Sequence, residues 1–494
     1  MIFSSVLFLL VFLPVAIILY CVAGTAPFSK ESTVQRIKNG VLLLVSLLFY
    51  GMGGYKYLIL LGSVLIINYL GGLAASLETP IYRKMALAYS VVADLGILFA
   101  FKYLNLFVCV FENCTSGKTA LENWTNIVTL TRTGVVDYTD IILPIGISFY
   151  IFQSISYVAD VYKKEAQVQK NFFDFALYVS FFPQLIAGPI VKYSDIDKQI
   201  RSRRETFEKV SDGVGRFIYG LAKKALIADT MAEIADEIWG MKLEGLGAGV
   251  AWLAAISYTL QIYFDFSGYS DMAIGLGKIF GFEFKENFNY PYISGSVQEF
   301  WRRWHISLST WFKEYVYIPL GGSRKGMGKT LLNIFIVFLL TGIWHGANLT
   351  FLAWGLIYAV LLIIERLFLG KLLKKKPMRV IGTIYTLFAV ILAWVFFRSD
   401  NLFQATELIG QMFSKGQNEY TVFTFLSMKA IITFVFAILL CFPVYPAIKK
   451  RVEANKTAAK ILAPIETIWQ IILLLYSLLV IISGSYNAFI YFNF

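Results

Sequence analysis

Two histidines are all that 494 residues contain, and each directly follows a tryptophan, in "FWRRWHISLSTW" and "TGIWHGANLT". Imidazole takes and returns a proton near neutrality, so the pair is a candidate acid/base site. His345 follows a segment, from Leu331, that is apolar on every side. If that segment enters a hydrocarbon layer at residue 331, a rise of ~1.5 Å per residue lifts His345 ~21 Å into a layer ~30 Å thick. An ionisable group at that depth is costly and marks function by default; the plainer alternative is a neutral ring bonded to a backbone carbonyl. Trp344, Asn348 and His305 are candidates to stabilise an oxyanion beside it.

His305 belongs to a second pattern. At about 100° per residue, Trp301, Trp304, His305, Leu308, Trp311, Phe312 and Tyr315 share one stripe, while Arg302, Arg303, Ser307, Thr310, Lys313 and Glu314 lie outside it. This predicts one amphipathic helix at the cytoplasmic membrane surface, ended by Pro319 and "GGSRKG". Arg302, Arg303, Lys313, Arg324, Lys325 and Lys329, set against Glu314, suit phosphates, either of lipid heads or of a nucleotide-bearing substrate. A third cluster, "LQIYFDFSGYSDM", puts Asp265, Ser267, Tyr269 and Asp271 between apolar flanks. Its carboxylates read either as substrate-binding partners of Arg302, Arg303 or a histidine, or as a solvated turn joining two helices. Asp160, beside a basic loop, reads as an interface residue.

The elements that must hold these groups are membrane helices. With 57% hydrophobic, 17% aromatic and 15% charged residues, the chain has more apolar surface than a water-soluble core needs. Apolar runs recur near 2–22, 40–54, 58–75, 86–108, 141–161, 331–347, 350–369, 380–397, 429–447 and 465–482. The expected fold is all-α and polytopic, a single domain over 1–494, with about 11 to 12 crossings plus re-entrant and interfacial helices. The opening run reads as a retained first helix, because its apolar stretch is longer than a signal-peptide core. The net charge of +12 gathers in short loops, as membrane topology and lipid contact require, and forms no nucleic-acid stripe. Basic loops at 30–38, 370–379 and 449–460 should face the cytoplasm, and the balanced segments 112–140 and 398–429 the outside. Residues 171–192, with Pro183 and Gly188-Pro189, fit a re-entrant hairpin; 210–283, punctuated by Gly268, Gly275, Gly277 and Gly281, do not thread simply. Four cysteines give no zinc spacing and only a weak disulfide signal at Cys109 and Cys114, and nothing else suggests a metal site.

Five ordered stretches carry a resemblance: "LPIGISFYIFQSISYVADVY", "YVSFFPQLIAGPIVKY", "LQIYFDFSGYSDMAIGLGKIFGFEFKENFNYPY", "EFWRRWHISLSTWFKEYVYIPLGG" and "LLTGIWHGANLTFLAWG". They cover roughly 210 residues, from Leu143 to Gly355, and resemble the membrane-bound O-acyltransferase family, within it the bacterial branch that O-acetylates polysaccharides such as alginate and peptidoglycan. The resemblance implies a ring of membrane helices around a thinned centre, in a bacterial cytoplasmic membrane. It implies His345 as the catalytic histidine and His305 as the second characteristic position. It further implies acetyl-CoA as acyl donor with no permanently bound cofactor, a polysaccharide acceptor outside, and a separate extracytoplasmic transferase of the SGNH type as partner. A transporter or flippase of a glycan or acyl carrier, with the histidines as a proton relay, is the rival of a different class. A membrane scaffold that needs neither histidine is a third.

Overall fold

The computed structural model describes residues 2–25, 30–115, 144–415, 419–484 and 489–490, with 122, 125 and 130. The Cys114 side chain, most of the 112–140 loop and most of the closing "SYNAFIYFNF" lie outside the described residues. Among those residues every regular element is a helix. Six are long and apolar enough to cross a membrane: Tyr55–Ala75, Pro80–Lys102, Met327–His345, Leu349–Leu373, Lys376–Arg398 and Lys460–Ile482. Met428–Leu440 and Val444–Glu453, bent by 61° at their junction, make a seventh if counted as one broken span. The protein is thus an all-α, multi-pass membrane protein.

The elements used below are α1 (Leu13–Gly24), α2 (Glu31–Gly51), α3 (Tyr55–Ala75), α4 (Pro80–Lys102), α5 (Ile147–Lys163), α6 (Phe172–Ser180), α7 (Phe207–Ala222), α8 (Asp229–Trp239), α9 (Gly247–Ile279), α10 (Val297–Arg303), α11 (Ile306–Phe312), α12 (Met327–His345), α13 (Leu349–Ile364) and α14 (Arg379–Arg398). Several other expected spans fall on helices of a different kind. α5 is buried from Ile147 to Val161, polar Gln153, Ser154 and Ser156 included, so its outer surface never meets lipid. α2 begins with the polar run "ESTVQRIKN" before its apolar half. Helices enclosed by other helices need not be apolar throughout, and a hydropathy criterion passes them over.

Residues 171–192 form α6, a kink at Phe181, a four-residue helix Phe182–Leu185 and a buried return to Lys192, in keeping with a hairpin. The reading of 210–283 needs correction. Gly268, Gly275 and Gly277 lie inside one continuous 33-residue helix, α9. The first two are where α7 approaches: a Cβ on Gly268 would meet the Gly220 carbonyl at 2.8 Å, and one on Gly275 the Gly213 carbonyl at 2.6 Å. Small residues here let two backbones touch, the usual device of membrane helices, and break nothing.

Buried apolar side chains form two clusters. One gathers α1, α2, α3, α5 and α6 with Trp311, Phe312 and Trp344; the other gathers α8, most of the inward side of α9, α10 and α14 with Trp354. The two histidines lie on the seam between them, His345 touching Trp344 of the first and Trp354 of the second.

Candidate active site

α12 runs without interruption to His345, its last residue, and Gly346 then turns fully extended. A Cβ on Gly346 would collide with the Phe351 ring, so only glycine allows this exit. Asn348 starts the next helix: its Oδ1 accepts from Thr350 N at 2.9 Å and its Nδ2 donates to the Asp400 carbonyl at 3.0 Å. "WHGAN" is therefore helix end, extended link and helix cap, with both ends of the Asn348 amide engaged.

The end of α12 is finished by residues more than 200 positions away. Tyr103 OH donates to the Ile343 carbonyl at 2.6 Å; Lys102 Nζ donates to those of Trp344 at 2.7 Å and His345 at 2.9 Å. The last carbonyls of a helix have no partner within it and carry partial negative charge, so a lysine there satisfies geometry and dipole together. Lys102 closes α4, inside the expected 86–108 span; a lone lysine in so apolar a run was the signal that could have flagged it.

The His345 ring meets Trp344, Trp354 and Phe397 edge to face, with centroids 4.9, 4.9 and 5.1 Å away, and keeps 6% of its surface.

His305 is held differently. The amphipathic stretch expected as one helix is two, α10 and α11, broken at Trp304-His305, where His305 takes a left-handed backbone at φ 42° and ψ 56°. A non-glycine residue there costs roughly 1–2 kcal/mol, a strain that recurs at functional sites. The break turns His305 inward until none of its surface is exposed, its ring edge on to Phe266 at 4.6 Å. Trp304 beside it packs on Phe300 and Trp394.

Strong anchoring holds the strained turn. At the start of α10, Val297 N and Gln298 N donate to the Glu365 carboxylate at 2.6 and 3.0 Å, and Glu299 N to Ser296 Oγ at 3.0 Å. After it, Ile306 N donates to the Asn287 carbonyl at 2.9 Å. The Asn287 side-chain oxygen meets Ser307 N at 3.1 Å, Ser307 Oγ at 2.9 Å and His305 Nδ1 at 3.2 Å. Asn287 was not singled out from the sequence; "ENFNYPY" gives no periodic or charge signal for it. His305 lies outside the six spans, and burial pushes its pKa down to about 3, keeping it neutral.

Trp344 joins the two histidines, its ring 4.9 Å from His345 and 6.3 Å from His305. Its indole N–H is buried and has no hydrogen-bond partner among the described residues. Around Ser307 lies a cavity of about 50 Å³, bounded also by Lys192, Thr310 and Lys285.

The remaining sequence-derived candidates lie elsewhere. Asp265, Ser267, Tyr269 and Asp271 are in the middle of α9, three of them at most 2% exposed, so the solvated-turn reading fails. Asp265 pairs with Lys224 at 2.9 Å and accepts from Ile490 N at 2.7 Å; Lys224 also binds Asp229 at 2.6 Å. Asp271 is held by Arg216 at 2.8 Å and Lys223 at 2.6 Å. Phe3 and Phe489 pack on Tyr269 from the two ends of the chain. Neither carboxylate pairs with Arg302, Arg303 or a histidine in any ion pair among the described residues. Arg302 and Lys313 are exposed, as are Arg324, Lys325 and Lys329, whereas Arg303 is tied to Glu299 at 2.9 Å. Asp160, 1% exposed, accepts from Tyr315 OH at 2.6 Å and is no interface residue.

A family model described as MBOAT, membrane-bound O-acyltransferase family, matches residues 97–403. A probable alginate O-acetylase of Pseudomonas putida is 44% identical over 420 residues, 84% of this chain and 81% of the relative. The peptidoglycan O-acetyltransferase of Helicobacter pylori is 35% identical over 444 residues, 83% and 80% of the two chains. A teichoic acid D-alanyltransferase of Bacillus subtilis is 27% identical over 231 residues, 44% of this chain and 58% of its own. Their names give an acetyl or D-alanyl group as what is transferred, and alginate, peptidoglycan or teichoic acid as the polymer. The chain belongs to the membrane-bound O-acyltransferase family, and is an O-acyltransferase of the membrane.

Proposed function

We propose that the protein moves an acetyl group from acetyl-CoA on the cytoplasmic side to hydroxyls of an extracytoplasmic polysaccharide, by way of a separate SGNH-type transferase. The observation that carries this reading is the meeting of the chain's only two histidines on one indole in the buried seam. The relatives' names support an O-acetyl group and a glycan acceptor.

In the reaction the thioester C–S bond breaks and a C–O ester bond forms. His345 takes the proton of the incoming hydroxyl, and that proton leaves on the thiolate sulfur as free CoA. Proton removal of this kind contributes typically 10²–10⁴ in rate. The Trp344 N–H, a donor with no acceptor among the described residues, suits the oxyanion of the tetrahedral intermediate. Asn348, its amide bonded at both ends, shapes the turn and is the weaker candidate. The exposed cations Arg302, Lys313, Arg324, Lys325 and Lys329 suit the donor's phosphates or anionic lipid heads. Asp265 and Asp271, each ion-paired, hold the helix that faces His305.

The test is His345→Ala, with acetyl transfer to surface glycan measured against the amount of protein in the membrane. Transfer falls to background while abundance holds; unchanged transfer at normal abundance rejects the assignment. Acetyl-CoA consumption that depends on acceptor separates this reading from a transporter.

A further inference from the structure

Neutral imidazole carries one hydrogen, and which nitrogen carries it decides whether the ring donates or accepts toward a substrate. For His305 the surrounding bonds decide. The Asn287 side-chain atom that faces His305 Nδ1 at 3.2 Å also takes the backbone N–H of Ser307 at 3.1 Å. A backbone N–H only donates, so that atom is the amide oxygen. An oxygen that accepts cannot face a bare nitrogen lone pair at that distance without repulsion, so Nδ1 carries the hydrogen. Ser307 Oγ, 3.4 Å from Nδ1, offers no escape: it lies closer to the same Asn287 oxygen, at 2.9 Å, and accepts from Ile190 N at 3.0 Å. Its single hydrogen is spent on Asn287. Nε2 is left with a lone pair, fully buried and without a hydrogen-bond partner among the described residues.

We propose that Asn287 is a positioning residue that fixes His305 with its hydrogen on Nδ1, so that Nε2 enters the acyl transfer as a hydrogen-bond acceptor and not as an oxyanion donor. The catalytic half of this statement rests on the acyltransfer reading above; the tautomer does not. His345 takes up the proton released from the acceptor hydroxyl and returns it to the thiolate sulfur. His305 Nε2 accepts a hydrogen bond during that transfer without taking the proton, and the oxyanion is left to the Trp344 N–H. An Asn that holds an imidazole tautomer does what a carboxylate does in hydrolase triads, where the wrong tautomer costs roughly 10⁴ in rate.

Because the chain has two histidines, the tautomer can be read directly. Full-length protein labelled with [15N]histidine and carrying His345→Ala retains one imidazole, whose two nitrogens 15N NMR distinguishes by protonation. The expected spectrum has a protonated Nδ1 and a bare Nε2; the reverse assignment overturns the proposal, whether or not the protein transfers acetyl groups. In otherwise native protein, Asn287→Ala lowers kcat by roughly 10² or more with the KM for acetyl-CoA within about twofold. Asn287→Asp, which keeps an acceptor for both Nδ1–H and Ser307 N–H, recovers most of that loss. Equal loss in folded Asn287→Asp and Asn287→Ala proteins overturns the positioning role. If Asn287→Ala does not fold, the single-histidine spectrum still decides. Should His345→Ala retain full activity while the spectrum is as expected, the catalytic role of His345 fails and the tautomer stands.

Discussion

Two buried polar regions meet on α9 and obey opposite rules. At Asp265 the carboxylate is ion-paired with Lys224 and accepts from the Ile490 amide, and a further carboxylate, Asp229, shares the lysine. One residue on, Phe266 presses against His305, a ring with a hydrogen bond on one nitrogen and, among the described residues, none on the other. The difference follows from charge. A full charge away from water needs an opposite charge beside it, and such a cluster is rigid because removing one member strands another. A neutral imidazole or indole tolerates one unmatched atom at far smaller cost, so chemistry can be stationed there. Ion pairs brace the scaffold at Asp265, and neutral rings form the site beside it.

The contrast breaks most visibly in a pair of variants. His345→Ala should lower acetyl transfer by roughly 10²–10⁴ with normal abundance and thermal stability. Lys224→Met strands two buried carboxylates, which costs on the order of 3–5 kcal/mol, and should deplete folded protein while the surviving molecules keep their specific activity. Normal abundance with a dead enzyme in Lys224→Met would move the ion cluster from scaffold to site.

Trp344→Phe sharpens the same division inside the site. It keeps an aromatic ring facing Phe149 and Phe152, 5.5 and 5.4 Å from the native indole, and removes the N–H together with the rest of the second ring. A loss of roughly 10² in kcat at little changed KM is the expected signature of a lost oxyanion donor. A smaller effect, about tenfold, is expected for Lys102→Met, which leaves the Trp344 and His345 carbonyls without their donor and loosens the end of α12. Lys102→Arg, still a cation with donors, should restore part of that rate.

The legible part of this protein is what chemistry imposes locally. A histidine after a long apolar run announced itself, as did the membrane class, because both are questions of composition and depth. The helix break at His305 was hidden, since the aromatic stripe from Trp301 to Tyr315 satisfies helical periodicity across it; the break comes from anchors at Glu365 and Asn287, far outside the stripe. The glycines of α9 misled for a related reason: glycine in sequence marks either a bend or a close approach, and only the neighbour, here α7, decides between them. The carboxylates of "DFSGYSD" were visible as buried charges in need of partners, but their partners, Lys224, Lys223 and Arg216, come from the segment whose path the sequence left open.

The smallest effect tests how far anchoring of the strained turn depends on charge. Glu299 ends a Ser296-x-x-Glu299 cap on α10, with Oε2 accepting from Gly295 N at 3.0 Å and Oε1 paired with Arg303. Partial burial alone would raise its pKa, but the Gly295 amide and Arg303 outweigh it and hold the carboxyl below its usual value. A depressed carboxyl stabilises the fold above its unfolded pKa, ~4.3, and loses that contribution as pH falls through the lower folded value. The wild-type protein should therefore lose thermal stability more steeply than Glu299→Gln as pH is lowered from about 5 to 3. Glutamine still accepts from Gly295 but gains nothing from ionisation, and the gap at neutral pH should stay within about 1 kcal/mol for a pair that water still reaches. Parallel curves for the two proteins would mean that hydrogen bonds alone, without the charge, hold the entrance to the His305 turn.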